Sequence, residues 1–187
     1  MKDTRPNQVP FAAGEFARQV REQSGVNFDR CVQCLTCTLS CPASFTMDYL
    51  PNQLIRKIQA GARDEVLHSR TIWRCVSCET CLARCPNEIN LPRIMDTLRQ
   101  TAVKEKITPG DKYVPAFHLA FIESIHQWGR QYELGMLLSF KIKARDFFSD
   151  IGLGLKMLQK RKLGLLPGKN SGRQEMKSIF RKLKEID

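Results

Sequence analysis

Apolar residues recur along this chain at helical spacing, and no segment shows the strict alternation of a half-buried strand. Within residues 1–27, a polar lead-in, Phe16 and Val20 lie four apart and predict one short amphipathic helix. Leu50, Leu54, Ile55 and Ile58 form the stripe of a second helix, with Asp48 placed to cap it, Pro51 in its first turn and Gly61 to end it. A helical stretch over 63–73 follows. Asn90 is the expected cap of the next helix, with Pro92 in its first turn and Leu91, Ile94, Met95, Leu98 and Ala102 on its apolar face. Thr108, Pro109 and Gly110 interrupt the chain before one long helix over 115–140, rich in Phe, Leu and Ile. Glycines 152, 154, 164, 168 and 172 then loosen the sequence ahead of a last amphipathic helix over 174–186. The predicted fold class is all-α.

Between these helices lies an internal repeat. CVQCLTCTLSCP begins at Cys31 and CVSCETCLARCP at Cys75, and each reads C-x-x-C-x-x-C-x-x-x-C-P. All eight cysteines of the chain belong to these two runs. Three cysteines spaced by three suit a tight loop that presents three thiolates to adjacent corners of one iron–sulfur cubane. The proline after the fourth turns the chain away, and in two-cluster ferredoxins that fourth cysteine ligates the other cluster. Applied here, one 4Fe–4S cluster takes Cys31, Cys34, Cys37 and Cys85, and a second takes Cys75, Cys78, Cys81 and Cys41. Structural zinc uses paired C-x-x-C units and leaves the third cysteine and the C-P ending unexplained. A secreted disulfide framework spreads its cysteines instead of clustering them. Small bacterial-type ferredoxins are built from strands and are mostly acidic, whereas a helix with a clear apolar stripe separates these two runs. A helical two-cluster domain is the better fit.

Charge divides the chain further. The net charge is +11, yet Lys141 to Asp187 holds thirteen Lys and Arg against five Asp and Glu, or +8 of that total. The C-terminal segment is therefore a basic arm on a nearly neutral body. No aromatic residues alternate with its charges and no nucleic-acid-binding motif appears, so nucleic acid is not an expected partner. Docking on an acidic partner protein is favoured, with Phe147, Phe148, Ile179 and Phe180 as apolar anchors, and a peripheral membrane contact is the alternative. No run approaches the roughly 20 apolar residues of a membrane span, and no apolar signal segment follows Lys2, Asp3 and Arg5, which points to the cytoplasm. His68, His118 and His126 are isolated, and the cysteines already supply both clusters. Gly152 and Gly154 lack the third glycine and preceding strand of a dinucleotide site. Trp73, two residues before Cys75, is a candidate shield for a cluster. Arg74 and Arg84 flank the second run, where a positive charge would favour a reduced cluster, but solvated surface charges are the favoured reading.

The stretch from SGVNFDRCVQCLTCTLSCP through MDYLPNQLIRKIQAGARDEVLHSRTIWRCVSCETCLARCP, continued by INLPRIMDTLRQTA to Gly129, Arg130 and Glu133, resembles the C-type subunits of heterodisulfide reductase. TIWRC ahead of the second run carries more of that resemblance than the cysteine spacing does. Leu35 departs from it, standing where glycine is common. The resemblance implies an α-helical ferredoxin domain that passes electrons between two other components of a heterodisulfide-reductase-like complex. One is an A-type component bearing flavin and iron–sulfur clusters, and the other is a catalytic, disulfide-reducing B-type component. With every cysteine assigned to a cluster, this chain itself would be a non-catalytic electron-transfer subunit of an oxidoreductase complex. The expected organisation is a lead-in over 1–27, the two-cluster domain over 28–106, a helical extension over 107–140 and the basic docking arm over 141–187. Two other functions fit the same cysteines: a free ferredoxin-like carrier, and the cluster subunit of a membrane-associated quinone-linked oxidoreductase.

Overall fold

The computed structural model describes residues 14–146, 149, 151–160, 164 and 172–184. Every regular element among them is helical, as the apolar spacing predicts. The chain divides into two compact units, Met1–Asp111 and Lys112–Asp187. Both cysteine runs lie in the first.

In the first unit α1 (Glu15–Ser24), α3 (Pro51–Gln59) and α7 (Leu91–Lys104) supply the core, and α1 packs on both of the others. Phe16, Ala17 and Val20 of α1 are buried, together with Leu54, Ile55 and Ile58 of α3 and Leu91, Ile94, Met95 and Leu98 of α7. These are the stripes read from the sequence, and each large side chain contributes about 1.5–3 kcal/mol by leaving water. Each cysteine run is followed by a helix that opens Leu–Pro, at Leu50–Pro51 and Leu91–Pro92, where the fixed proline φ suits the first turn. Asn90 caps α7 as expected, its side-chain oxygen accepting from the Arg93 N–H at 3.0 Å. Gly61, at φ 76°, follows α3 in the left-handed conformation.

Asp48 does not cap α3. The Leu50 N–H there donates to the Gln53 side chain at 3.0 Å. Asp48 instead reaches across 22 residues, accepting from the Arg70 N–H at 2.8 Å, the Thr71 N–H at 2.9 Å and the Thr71 hydroxyl at 2.7 Å. It thereby caps α5 (Thr71–Arg74), the short helix that delivers the chain to Cys75. The single stretch expected over 63–73 is accordingly two helices, α4 (Arg63–Leu67) and α5. Ser69 closes α4 by donating to the Val66 carbonyl at 2.7 Å, and the cap from Asp48 begins α5 afresh. Gly110 packs against this break, where an added Cβ would stand 2.2 Å from the His68 carbonyl oxygen. Its neighbour Asp111, with a side chain only 2% exposed, forms an ion pair with Arg74. Arg74 is thus a paired charge and not a solvated one.

The second unit holds α8 (Tyr113–Trp128), α9 (Glu133–Ala144), α10 (Ile151–Gln159) and α11 (Arg173–Lys184). The long helix expected over 115–140 is interrupted because Gly129, at φ 73°, ends α8, and Tyr132 N–H then donates to the Ser124 hydroxyl at 2.9 Å. Small residues Ala116, Ala120 and Ser124 are buried along α8, which packs against α9 and α11. Arg173 of α11 donates to the Gln127 carbonyl at 2.8 Å, and the Phe180 ring meets His126 edge-on at 4.9 Å. Phe180 therefore serves packing inside this unit, while Ile179 and Leu183 remain exposed. Phe147 and Phe148 lie outside the described residues. No helix among the described residues is long and apolar enough to cross a membrane.

Burial by itself would raise the Asp48 carboxyl, but hydrogen bonds from Thr71, Arg70 and Tyr49 outweigh it and hold the group below its ordinary value. A depressed folded-state value means that its stabilisation is fully present above about pH 4 and is lost as pH falls through the lowered value. Asp48→Ala should cost about 1 kcal/mol, the scale of a lost helix cap. Thermal unfolding of both proteins between pH 3 and 7 checks this: the gap should be widest above pH 4 and close toward pH 3.

Candidate metal centre

Both runs fold the same way, residue for residue at an offset of 44. Gln33 and Leu35 take φ of 55° and 64°, and their counterparts Ser77 and Glu79 take 50° and 60°. Left-handed backbone is costly for residues with a Cβ, about 1–2 kcal/mol each. It alternates here between the cysteines and winds Cys31, Cys34 and Cys37, or Cys75, Cys78 and Cys81, around one point. A single helical turn then follows each loop, α2 (Thr36–Leu39) and α6 (Thr80–Ala83), and the two turns pack on one another. Glycine in place of Leu35 would relieve its conformation. The loop is nonetheless as tight at Leu35 as at Glu79.

Two cavities result. One is lined by Cys31, Cys34, Cys37, Cys81 and Cys85. The other is lined by Cys41, Cys75, Cys78 and Cys81. Each is thus walled by three cysteines of one run together with the last cysteine of the other, and Cys81 lines both. The remaining walls are largely apolar, including Ile55, Ile89 and Leu91 in the first and Met47, Leu91 and Met95 in the second. Soft thiolates in an apolar shell fit an iron–sulfur cluster by the chemistry of the donor set. The sulfurs stand around a volume; among the described residues no three His, Cys, Asp or Glu side chains converge as ligands of a single ion do.

The thiols are not equivalent. The Thr36 hydroxyl lies 3.3 Å from Cys34 Sγ and the Thr80 hydroxyl 3.4 Å from Cys78 Sγ, and these contacts hold both exposed thiols below their ordinary value. Burial pushes Cys37 up, and it pushes Cys81 up to about 11, with help from the nearby Cys75 and Cys37. Ligation requires thiolates, so filling these cavities releases protons.

Several residues that position the site carry no motif. Arg99 of α7 donates to the Ile72 and Cys75 carbonyls, tying the second run to the core, and pairs with Asp96 at 3.1 Å. Gln33, Thr38 and Asn52 form a polar network beside Cys31. Trp73 is buried but lines neither cavity, and neither do Arg84 or the three histidines.

Residues 27–89, spanning all eight cysteines, match the family described as the 4Fe–4S dicluster domain. The chain carries such a domain, and several curated relatives are named as C subunits of heterodisulfide reductase. The chain is 34% identical over 104 residues to the C subunit of the H(2):CoB-CoM heterodisulfide,ferredoxin reductase of Methanothermobacter marburgensis, an alignment covering 55% of this chain and 56% of that protein. It is 40% identical over 90 residues to the C subunit of the ferredoxin:CoB-CoM heterodisulfide reductase of Methanosarcina acetivorans, covering 48% of this chain and 36% of that one. The iron–sulfur C2 subunit of the CoB–CoM heterodisulfide reductase of Methanocaldococcus jannaschii is 41% identical over 75 residues, with 40% of each chain covered. The chain spans about half the length, or less, of these relatives.

The left-handed loops give a direct test. Leu35→Gly should retain iron as the parent does, whereas the β-branched Leu35→Val should lose it sooner in urea, since its Cβ crowds a positive φ. Bound iron measured along an anaerobic urea series distinguishes the two.

Proposed function

We propose that this chain relays electrons through two 4Fe–4S clusters, one held by Cys31, Cys34, Cys37 and Cys85 and the other by Cys75, Cys78, Cys81 and Cys41. The observation that carries this reading is the crossed walling of the cavities, in which each draws its last cysteine from the other run. Bound clusters supply one-electron chemistry. The protein supplies the four thiolates, the loops that aim them and an apolar wall that keeps water away. Cys81 borders both cavities, which favours direct electron exchange between the two sites.

All eight cysteines are committed to these sites, so disulfide chemistry belongs to another component. The relatives' names support placing the chain in a heterodisulfide-reductase-like complex. In the reading proposed here it passes electrons there between a flavin- and cluster-bearing A-type component and a catalytic B-type one. The domain over 28–106 does the relaying in this reading, 107–140 is a helical extension, and the basic arm over 141–187 serves docking. In α11, Ile179 and Leu183 lie exposed four residues apart among Lys177, Arg181 and Lys182, a basic and apolar stripe suited to an acidic partner.

Anaerobically purified protein should hold about eight irons and eight acid-labile sulfides. Cys41→Ser should damage the cluster of Cys75, Cys78 and Cys81, read by electron paramagnetic resonance. Stoichiometric zinc without visible absorption would sink the cluster reading, and damage confined to the site of Cys31, Cys34 and Cys37 would sink the crossed ligation. For docking, Ile179→Asp with Leu183→Asp should leave the iron content unchanged and weaken co-purification of partner proteins, with the remaining binding falling as salt rises.

A further inference from the structure

The two halves share a backbone but not their chemistry, and the differences fall on the cavity walls. At the first cavity Gln33 Nε2 donates to Cys31 Sγ at 3.4 Å and to the Asn52 carbonyl at 3.2 Å. A carbonyl only accepts, so the Gln33 amide is oriented with its N–H toward the sulfur. Its oxygen accepts from Asn52 Nδ2 at 3.1 Å. The Asn52 oxygen accepts in turn from the Thr38 hydroxyl at 2.7 Å, and that hydroxyl accepts the Asn52 N–H at 3.2 Å. The ring of bonds closes and fixes one donor on one cysteine sulfur.

The second half has none of this. Ser77 stands where Gln33 does and Leu82 where Thr38 does. Leu35, on the wall of the first cavity, is replaced on the wall of the second by Glu79. Of the cations near the second run, Arg74 is met by Asp111 and Arg99 by Asp96, while Arg84, in place of Ser40, is exposed to solvent and screened by it.

Reducing a cluster adds one negative charge. An N–H donor to a ligating sulfur stabilises that charge and raises the potential, while a carboxylate beside the site opposes it and lowers the potential. Both differences act in the same direction. We infer that Gln33, fixed by Asn52 and Thr38, and Glu79 set the two sites at different potentials, with the site of Cys31, Cys34, Cys37 and Cys85 the higher. One electron then passes from the second site to the first with no bond made and no proton moved. Its source is a redox centre of a donor protein facing the second site, and its destination is one facing the first. This rests on the two-cluster reading proposed above.

The test is a potentiometric titration of the cluster-loaded protein, followed by electron paramagnetic resonance. The parent should show two signals reduced at separate potentials. Gln33→Ser, which installs the residue that already holds this backbone at position 77, should move only the higher-potential signal, and downward. Glu79→Gln should move only the lower-potential signal, and upward. Each shift should be on the order of tenfold in the reduction equilibrium, about 59 mV for a one-electron couple. Asn52→Ala should reproduce part of the Gln33→Ser shift, because it frees the amide without removing it. Unmoved potentials, or a Gln33→Ser shift of the lower signal, would overturn the inference. Iron well below eight per chain in the parent marks instead a failure of the two-cluster reading.

Discussion

The two cysteine-lined cavities of the first unit are each walled by sulfurs from both runs, and that shared walling constrains everything between them. A site that draws sulfur from both runs, such as Cys31 with Cys85 or Cys41 with Cys75, demands that the intervening chain return to a fixed place. Helices α3, α4 and α5 make that return. α4 and α5 pack against α7 and α3 against α1 and α4, and the last turn is aimed by Asp48 and Arg99. The hydrophobic core thus sets where the second run starts relative to the first, and the polar contacts set its direction. Filling either cavity ties the runs together, so cluster binding and the stability of this unit are coupled.

The left-handed residues belong to the same constraint. Presenting three sulfurs to one small volume from a chain of seven residues requires repeated reversal, and an L-residue accomplishes that only at positive φ. Gln33, Leu35, Ser77 and Glu79 bear that strain in matched pairs. Such strain persists where the surroundings over-determine it, which here means the paired turns α2 and α6 and the packed helices behind them.

Much of this was legible in the sequence. The stripes of α1, α3 and α7 follow from apolar spacing, and the cysteine runs state their own chemistry. What escaped depends on contacts between distant positions. Asp48 sits one turn before a helix and reads as its cap, yet its partners are Arg70 and Thr71. Gly129 interrupts an apolar pattern that continues on both sides, so periodicity runs through a real turn. The Gln33, Thr38 and Asn52 network joins three ordinary polar residues that only the folded chain brings together. In the second unit, composition predicted apolar helices but not which side chains would be buried. Alanines 116 and 120 lie inside while Leu119, Ile122, Leu138 and Ile142 face outward.

The close fit of Gly110 to the His68 carbonyl, with Asp111 paired to Arg74 beside it, bears on how this domain tolerates change in length. Those two residues moor the end of the first unit to the segment that feeds Cys75. An insertion ahead of residue 110 must be taken up between two anchored points. Fusions and domain exchanges are therefore best joined beyond Asp111, where the cluster-bearing half keeps its own mooring.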